Sequence, residues 1–256
     1  MGLAIRIIPS LLYRGHTLVK GEKFGSWRSV GVLTQAVKIY EQRNVDELLL
    51  LDVSATQEGR APDYDTISRL TSGCFMPMAV GGGVRTLADA KALLRAGADK
   101  VVMGVKAYRD PIEVNRIVES LGSQALVVSI DVKENRVWID SGRIRTAVDP
   151  VRYAQLLAGM GVGEILVTSI EREGTLTGYD ISLIRAVAHA VDVPVIAHGG
   201  CSGYADMHLA ISAGASAVAA GALFQFTNAT PAGAAEYLAE HGIEVRRPNP
   251  EEEHSS

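Results

Sequence analysis

Residues 81–104 (GGGVRTLADAKALLRAGADKVVMG) return 117 positions later as residues 198–221 (HGGCSGYADMHLAISAGASAVAAG), with nine positions identical. Gly82 falls on Gly199, Gly83 on Gly200, Asp89 on Asp206, Gly97 on Gly214 and Gly104 on Gly221. The same shift lays Glu47 on Glu164, and a shift of 119 lays Ser10-Leu11-Leu12 on Ser129-Ile130-Asp131. A chain of two like halves folds most simply when each half supplies part of one symmetric architecture.

The units of that architecture are legible. Short Val/Ile/Leu-rich runs recur at about 5–11, 47–53, 77–80, 100–104, 125–131, 164–169, 193–197 and 217–221. Each is followed by a polar or glycine-rich stretch and then a segment of helical periodicity, the pattern of parallel strands buried on both faces. Val32 to Arg43 is one such helix, with Val32, Leu33, Ala36, Val37, Ile39 and Tyr40 as its apolar stripe. Leu87 to Ala96 is another. Eight strands and eight helices in two halves predict a single α/β domain, a closed (β/α)8 TIM barrel over residues 1–245. The proline-broken, polar segment 246–256 (RRPNPEEEHSS) is expected to be a disordered tail.

Several classes of function are disfavoured. With 25 basic against 29 acidic residues, the chain has no charge surplus for nucleic acid or an anionic membrane. Its apolar runs of five or six residues fall far short of the roughly 20 that span a bilayer. The segment Met1 to Pro9 carries Arg6 within its apolar stretch and does not read as a signal peptide. Two cysteines, Cys74 and Cys201, fit a reducing compartment. The six histidines lack metal-ligand spacing. A cytoplasmic protein without metal or cofactor is expected.

Chemistry in this fold belongs at the ends of the strands, where phosphate is often held by the loops after strands seven and eight. Strand seven ends in His198-Gly199-Gly200 and strand eight in Gly221, and glycine lets backbone N–H groups approach an anion. The repeat places a second glycine set at Gly82, Gly83 and Gly104, so a doubly phosphorylated substrate would suit the mouth. Glycines also serve tight strand-to-loop turns, and spacing alone leaves that reading open. Asp131 ends strand five as a carboxylate for acid–base work. Asp52 ends strand two, Lys20 lies in the loop after strand one, and the position related to Asp131 by the repeat is Leu12, which carries no proton. At the opposite end Arg6, Glu47, Lys100 and Glu164 stand at strand starts. They are either a neutral ring or ordinary solvated charge.

The segments RIIPSL (6–11), LVKG (18–21), VDELLLLDVSAT (45–56), VGGGV (80–84), AGADKVV (96–102), LGSQALVVSIDVK (121–133) and GVGEILVTSIEREGTLTGYD (161–180) carry a resemblance over nearly the whole chain. The sequence resembles the cyclase subunit of imidazole glycerol phosphate synthase. The resemblance implies that ammonia from a class I glutaminase partner, docked at the N-terminal face, crosses the barrel. At the top it reacts with a bisphosphorylated ribulosyl intermediate and an imidazole ring closes. It implies a catalytic role for Asp131 and an ammonia gate of Arg6, Glu47, Lys100 and Glu164. Lys20, Asp52, Gly83, Thr168, Gly174 and Gly200 match active-site positions of that family. Four departures fall at the mouth: the family's other catalytic aspartate is Leu12, its Asn-Thr pair after strand four is Gly104-Val105, its serine before the strand-seven glycines is His198, and an aspartate after strand six is Glu173.

That pattern also resembles a paralogous group in surface-polysaccharide gene clusters, where such a barrel serves an ATP-dependent amidotransferase that makes an acetamidino sugar. The reading from sequence is accordingly an ammonia-channelling, cyclase-like subunit serving sugar amidination. A true histidine-pathway cyclase is the alternative, and a scaffold that only docks or activates its glutaminase is a third possibility. His16 and His198 are the nearby groups able to stand in for the lost acid.

Overall fold

The computed structural model describes residues 4–246. Twelve strands form one sheet: β1 (Arg6–Arg14), β2 (Thr17–Glu22), β3 (Gly25–Val32), β4 (Leu48–Asp52), β5 (Met78–Gly81), β6 (Lys100–Met103), β7 (Leu126–Lys133), β8 (Arg136–Ile139), β9 (Ile144–Arg145), β10 (Glu164–Ser169), β11 (Val195–His198) and β12 (Ala217–Ala220). Eight of them pair in parallel in the order β10-β11-β12-β1-β4-β5-β6-β7, and β7 pairs back onto β10 to close the barrel. These are the eight strands expected from the apolar runs, and the (β/α)8 reading holds.

Helices cover the outside, and their starts are written locally. Asp63, Asp149, Asp180 and Thr230 each accept a backbone N–H from the first turn that follows, and Thr86 with Asp89 forms a reciprocal capping box. In the helix Leu33–Gln42 only Leu33, Val37 and Tyr40 are buried. Val32 and Ile39 are 47% and 46% exposed, so the expected stripe is too wide. At 100° per residue Ile39 stands far round the helix from Val37, and Val32 belongs to β3 rather than to the helix.

Two hairpins escape the sequence reading. β1 runs past the barrel rim, turns at Gly15-His16 and returns as β2, which pairs with β3; β7 likewise returns as β8 and β9. Lys20 therefore lies on a strand, not in an irregular loop. The repeat extends into these hairpins: Leu12 pairs with Val19, and Asp131 with Trp138, the same pairing 119 residues on.

Inside the barrel, alternate residues of every strand point at the axis. Ile8, Leu49, Ala79, Val102, Val127, Leu166, Ile196, Ala217 and Ala219 form a separate apolar cluster. Charge lies at its two ends. Among the described residues no helix is long and apolar enough to cross a membrane. The tail expected from residue 246 onward lies, apart from Arg246, outside the described residues.

Candidate active site

The C-terminal ends of the strands surround a pocket of about 360 Å3 lined by Asp52, Gly82, Gly83, Gly104, Asp131, Thr168, Glu173 and His198, with Leu12 among them. The fold thus gathers eight of the sequence-predicted site residues around one space. Asp131 is half-buried there and accepts a hydrogen bond from Ser129 Oγ at 3.1 Å. Burial pushes its pKa up to about 6; the Ser129 bond opposes this, and the charge of Glu173 adds to it. A carboxyl in that range can hold or release a proton near neutrality. Asp52 is bound into its own loop. It accepts from Ser54 N, Ser54 Oγ and Ala55 N, and pairs with Arg60 at 2.7 Å.

Lys20, Gly174, Gly199, Gly200 and Gly221 lie to one side, where the first hairpin, which carries Lys20, packs on Gly174 and Gly221 and the loop after β10 packs on Gly199 and Gly200. Lys20 Nζ pairs with Glu173 Oε1, both side chains almost fully enclosed. The Lys23 N–H donates to the Glu173 carbonyl at 2.9 Å. Gly174 has φ +78, and a Cβ there would lie 2.1 Å from the Gly21 carbonyl oxygen, so only glycine lets the hairpin come this close. Burial pushes the Glu173 pKa up, but the charges of Lys20 and His198 outweigh it and the net shift is downward. His198 Nδ1 bonds Thr168 Oγ1 and its Nε2 bonds Ser10 Oγ, both at 3.1 Å, with Glu173 Oε2 at 3.8 Å from Nε2. Burial lowers its pKa, and Glu173 opposes that shift. The cavity beside Gly174, Gly199, Gly200 and Gly221 measures about 10 Å3, room for no more than a water.

The other half of the mouth is basic. Arg60 and Arg85, from the loops after β4 and β5, and Lys106 and Arg109, from the short helix Val105–Arg109 after β6, all line the large pocket, and the sequence reading missed them. A Cβ on Gly104 would meet nothing within 4 Å, so the missing side chain there leaves space to the pocket. His16 is exposed on the hairpin turn, bonded to Thr66 Oγ1, and does not line the mouth.

At the opposite end the four strand-start charges form a closed ring. Arg6 Nη1 lies 2.6 Å from Glu47 Oε2 and 3.0 Å from Glu164 Oε1, while Lys100 Nζ lies 2.8 Å from Glu47 Oε2 and 2.9 Å from Glu164 Oε1. The solvated-charge alternative is thereby excluded. Burial lowers the Arg6 pKa, but Glu164 and Glu47 outweigh it and raise it. Glu47 Oε1 is buried and, among the described residues, has no hydrogen-bond partner.

A parallel eight-stranded barrel with a carboxylate at its mouth and a neutral ion ring at its base defines the class, and the sequence matches the family described as histidine biosynthesis protein over residues 6–230. The chain belongs to that family. It is 44% identical over 252 residues to the imidazole glycerol phosphate synthase subunit HisF of Pyrobaculum aerophilum, covering 96% of this chain and all of that protein. It is 42% identical over 249 residues to the same-named subunit of Hyphomonas neptunium, covering 95% and 99% respectively.

Proposed function

We propose that the chain is the cyclase subunit of an imidazole glycerol phosphate synthase. In this role it closes the imidazole ring of a bisphosphorylated ribulosyl intermediate with ammonia released by a glutaminase bound at its N-terminal face. The carrying observation is the pairing of two ends: a closed four-charge ring at the base and Asp131, with its raised pKa, at the mouth. The ring residues start β1, β6 and β10 or immediately precede β4, so they frame the axis that ends at Asp131. A buried carboxylate oxygen without a donor, Glu47 Oε1, suits passage of a small N–H donor such as ammonia. The four cations and the glycines around the large pocket supply one anion site, and the small cleft lined by Gly174, Gly199, Gly200 and Gly221 supplies the second.

The names of the relatives favour ring closure over sugar amidination. One residue favours the second reading, in which ammonia passes on to an ATP-dependent amidotransferase. Leu12 is buried, lines the mouth and offers no proton.

Incubating the purified chain with ammonium salts and the ribulosyl intermediate separates the two. The cyclase reading expects an imidazole product that depends on Asp131; an inert chain that still raises its glutaminase's activity supports the onward-delivery or scaffold readings.

A further inference from the structure

Resting on the cyclase reading, we infer that His198 is the second proton-transfer group of the mouth, filling from β11 the place that the internal repeat assigns to residue 12. The two halves of the barrel keep the same register. Leu12 pairs with Leu51 as Asp131 pairs with Thr168, and two residues below each stands a serine on the same strand face, Ser10 and Ser129. Ser129 Oγ donates to Asp131. Its counterpart Ser10 has no acid above it, and its hydroxyl bonds His198 Nε2 at 3.1 Å instead. The imidazole reaches Ser10 past β12, where His198 pairs with Ala219, a side chain small enough to leave the path open. Each half thus has one titratable group resting on the same serine, although the two groups come from strands that the repeat does not relate.

The surroundings suit proton exchange. Both ring nitrogens bond hydroxyls, Thr168 Oγ1 and Ser10 Oγ, and a hydroxyl can donate or accept, so His198 can gain or lose a proton with both contacts kept. The charged groups facing it are Glu173, which favours the imidazolium, and Lys20, which opposes it. Burial favours the neutral base. Asp131, raised by its own burial, is the acid partner.

The step balances. Ammonia adds to the ketone carbon of the ribulosyl group; the carbinolamine loses its hydroxyl as water with a proton from Asp131. The iminium nitrogen then gives a proton to the Thr168 hydroxyl, which lines the pocket and passes its own proton to His198 Nδ1. One ammonia enters, one water leaves, and the proton on His198 returns to Asp131 through solvent.

The test is steady-state turnover of the ribulosyl intermediate with ammonium for the parent, His198→Ser and the double variant His198→Ser/Leu12→Asp, with thermal melts showing that each is folded. His198→Ser should lower kcat about 100-fold or more with KM within about threefold, and should remove the acidic limb of the rate–pH profile. Adding Leu12→Asp should recover most of the loss, because a carboxylate then stands at the repeat position itself. A His198→Ser chain with parental kcat, a change confined to KM, or a double variant no faster than the single one would overturn the inference while leaving the cyclase reading intact. A silent parent overturns both.

Discussion

Asp131→Asn should make the protein more stable, and only above acid pH. The Asp131 pKa rises from 3.8 to about 6 on folding, so the folded state binds a proton more tightly than the unfolded chain. Stability therefore falls as pH rises between those values. At about 1.4 kcal/mol per pKa unit, the charged carboxylate costs about 3 kcal/mol above pH 7 and only about 0.5 kcal/mol at pH 4. Asparagine keeps an oxygen for the Ser129 hydroxyl and has no charge to bury. For a chain of 256 residues, unfolding entropy of about 2.1 cal/mol/K per residue turns 3 kcal/mol into roughly 6 °C. Melting curves of parent and variant at pH 8 and pH 4 should show a gain of about that size at pH 8, shrinking to about 1 °C at pH 4. A variant less stable at pH 8, or a gain equal at both pH values, would refute the burial argument for this site. On the proposed cyclase function, turnover of the variant should fall by orders of magnitude.

Lys20→Met leaves Glu173 buried without its cation and should lower stability by about 3 kcal/mol at neutral pH, while Lys20→Met/Glu173→Leu should recover most of that in the same melts. Lys106→Ala, in the basic half of the mouth, should raise KM for the bisphosphorylated substrate about tenfold with kcat within threefold; added salt should raise the parent's KM more than the variant's.

The barrel strands were legible because they are largely buried on both faces and read as apolar runs, as Leu48–Asp52 and Ala217–Ala220 show. The hairpins were not. β3 is mostly exposed and β8 alternates half-buried with buried residues, so neither reads as a strand buried on both faces. Their signal lies in the repeat itself, which continues in register from Leu12–Val19 to Asp131–Trp138. Spacing left the base charges undecided, since Arg6 and Glu164 meet only when the barrel closes. The same closure gathers Arg60, Arg85, Lys106 and Arg109, each unremarkable in its local sequence. The glycines after β11 are closed over by the loop after β10, where the Gly178 N–H donates to the Gly200 carbonyl, a long-range packing that spacing does not encode.

On the proposed function, one end of this barrel admits ammonia that the other end consumes. Turnover of the ribulosyl intermediate by the chain with its glutaminase, driven by glutamine and separately by ammonium, tests it most directly when parent and Glu47→Gln are compared. Glu47 accepts both ring cations. The substitution should therefore cut glutamine-driven turnover at least tenfold and leave ammonium-driven turnover within about threefold. Equal losses with both nitrogen sources, or no loss with either, would contradict a path that begins at the ring and ends at Asp131.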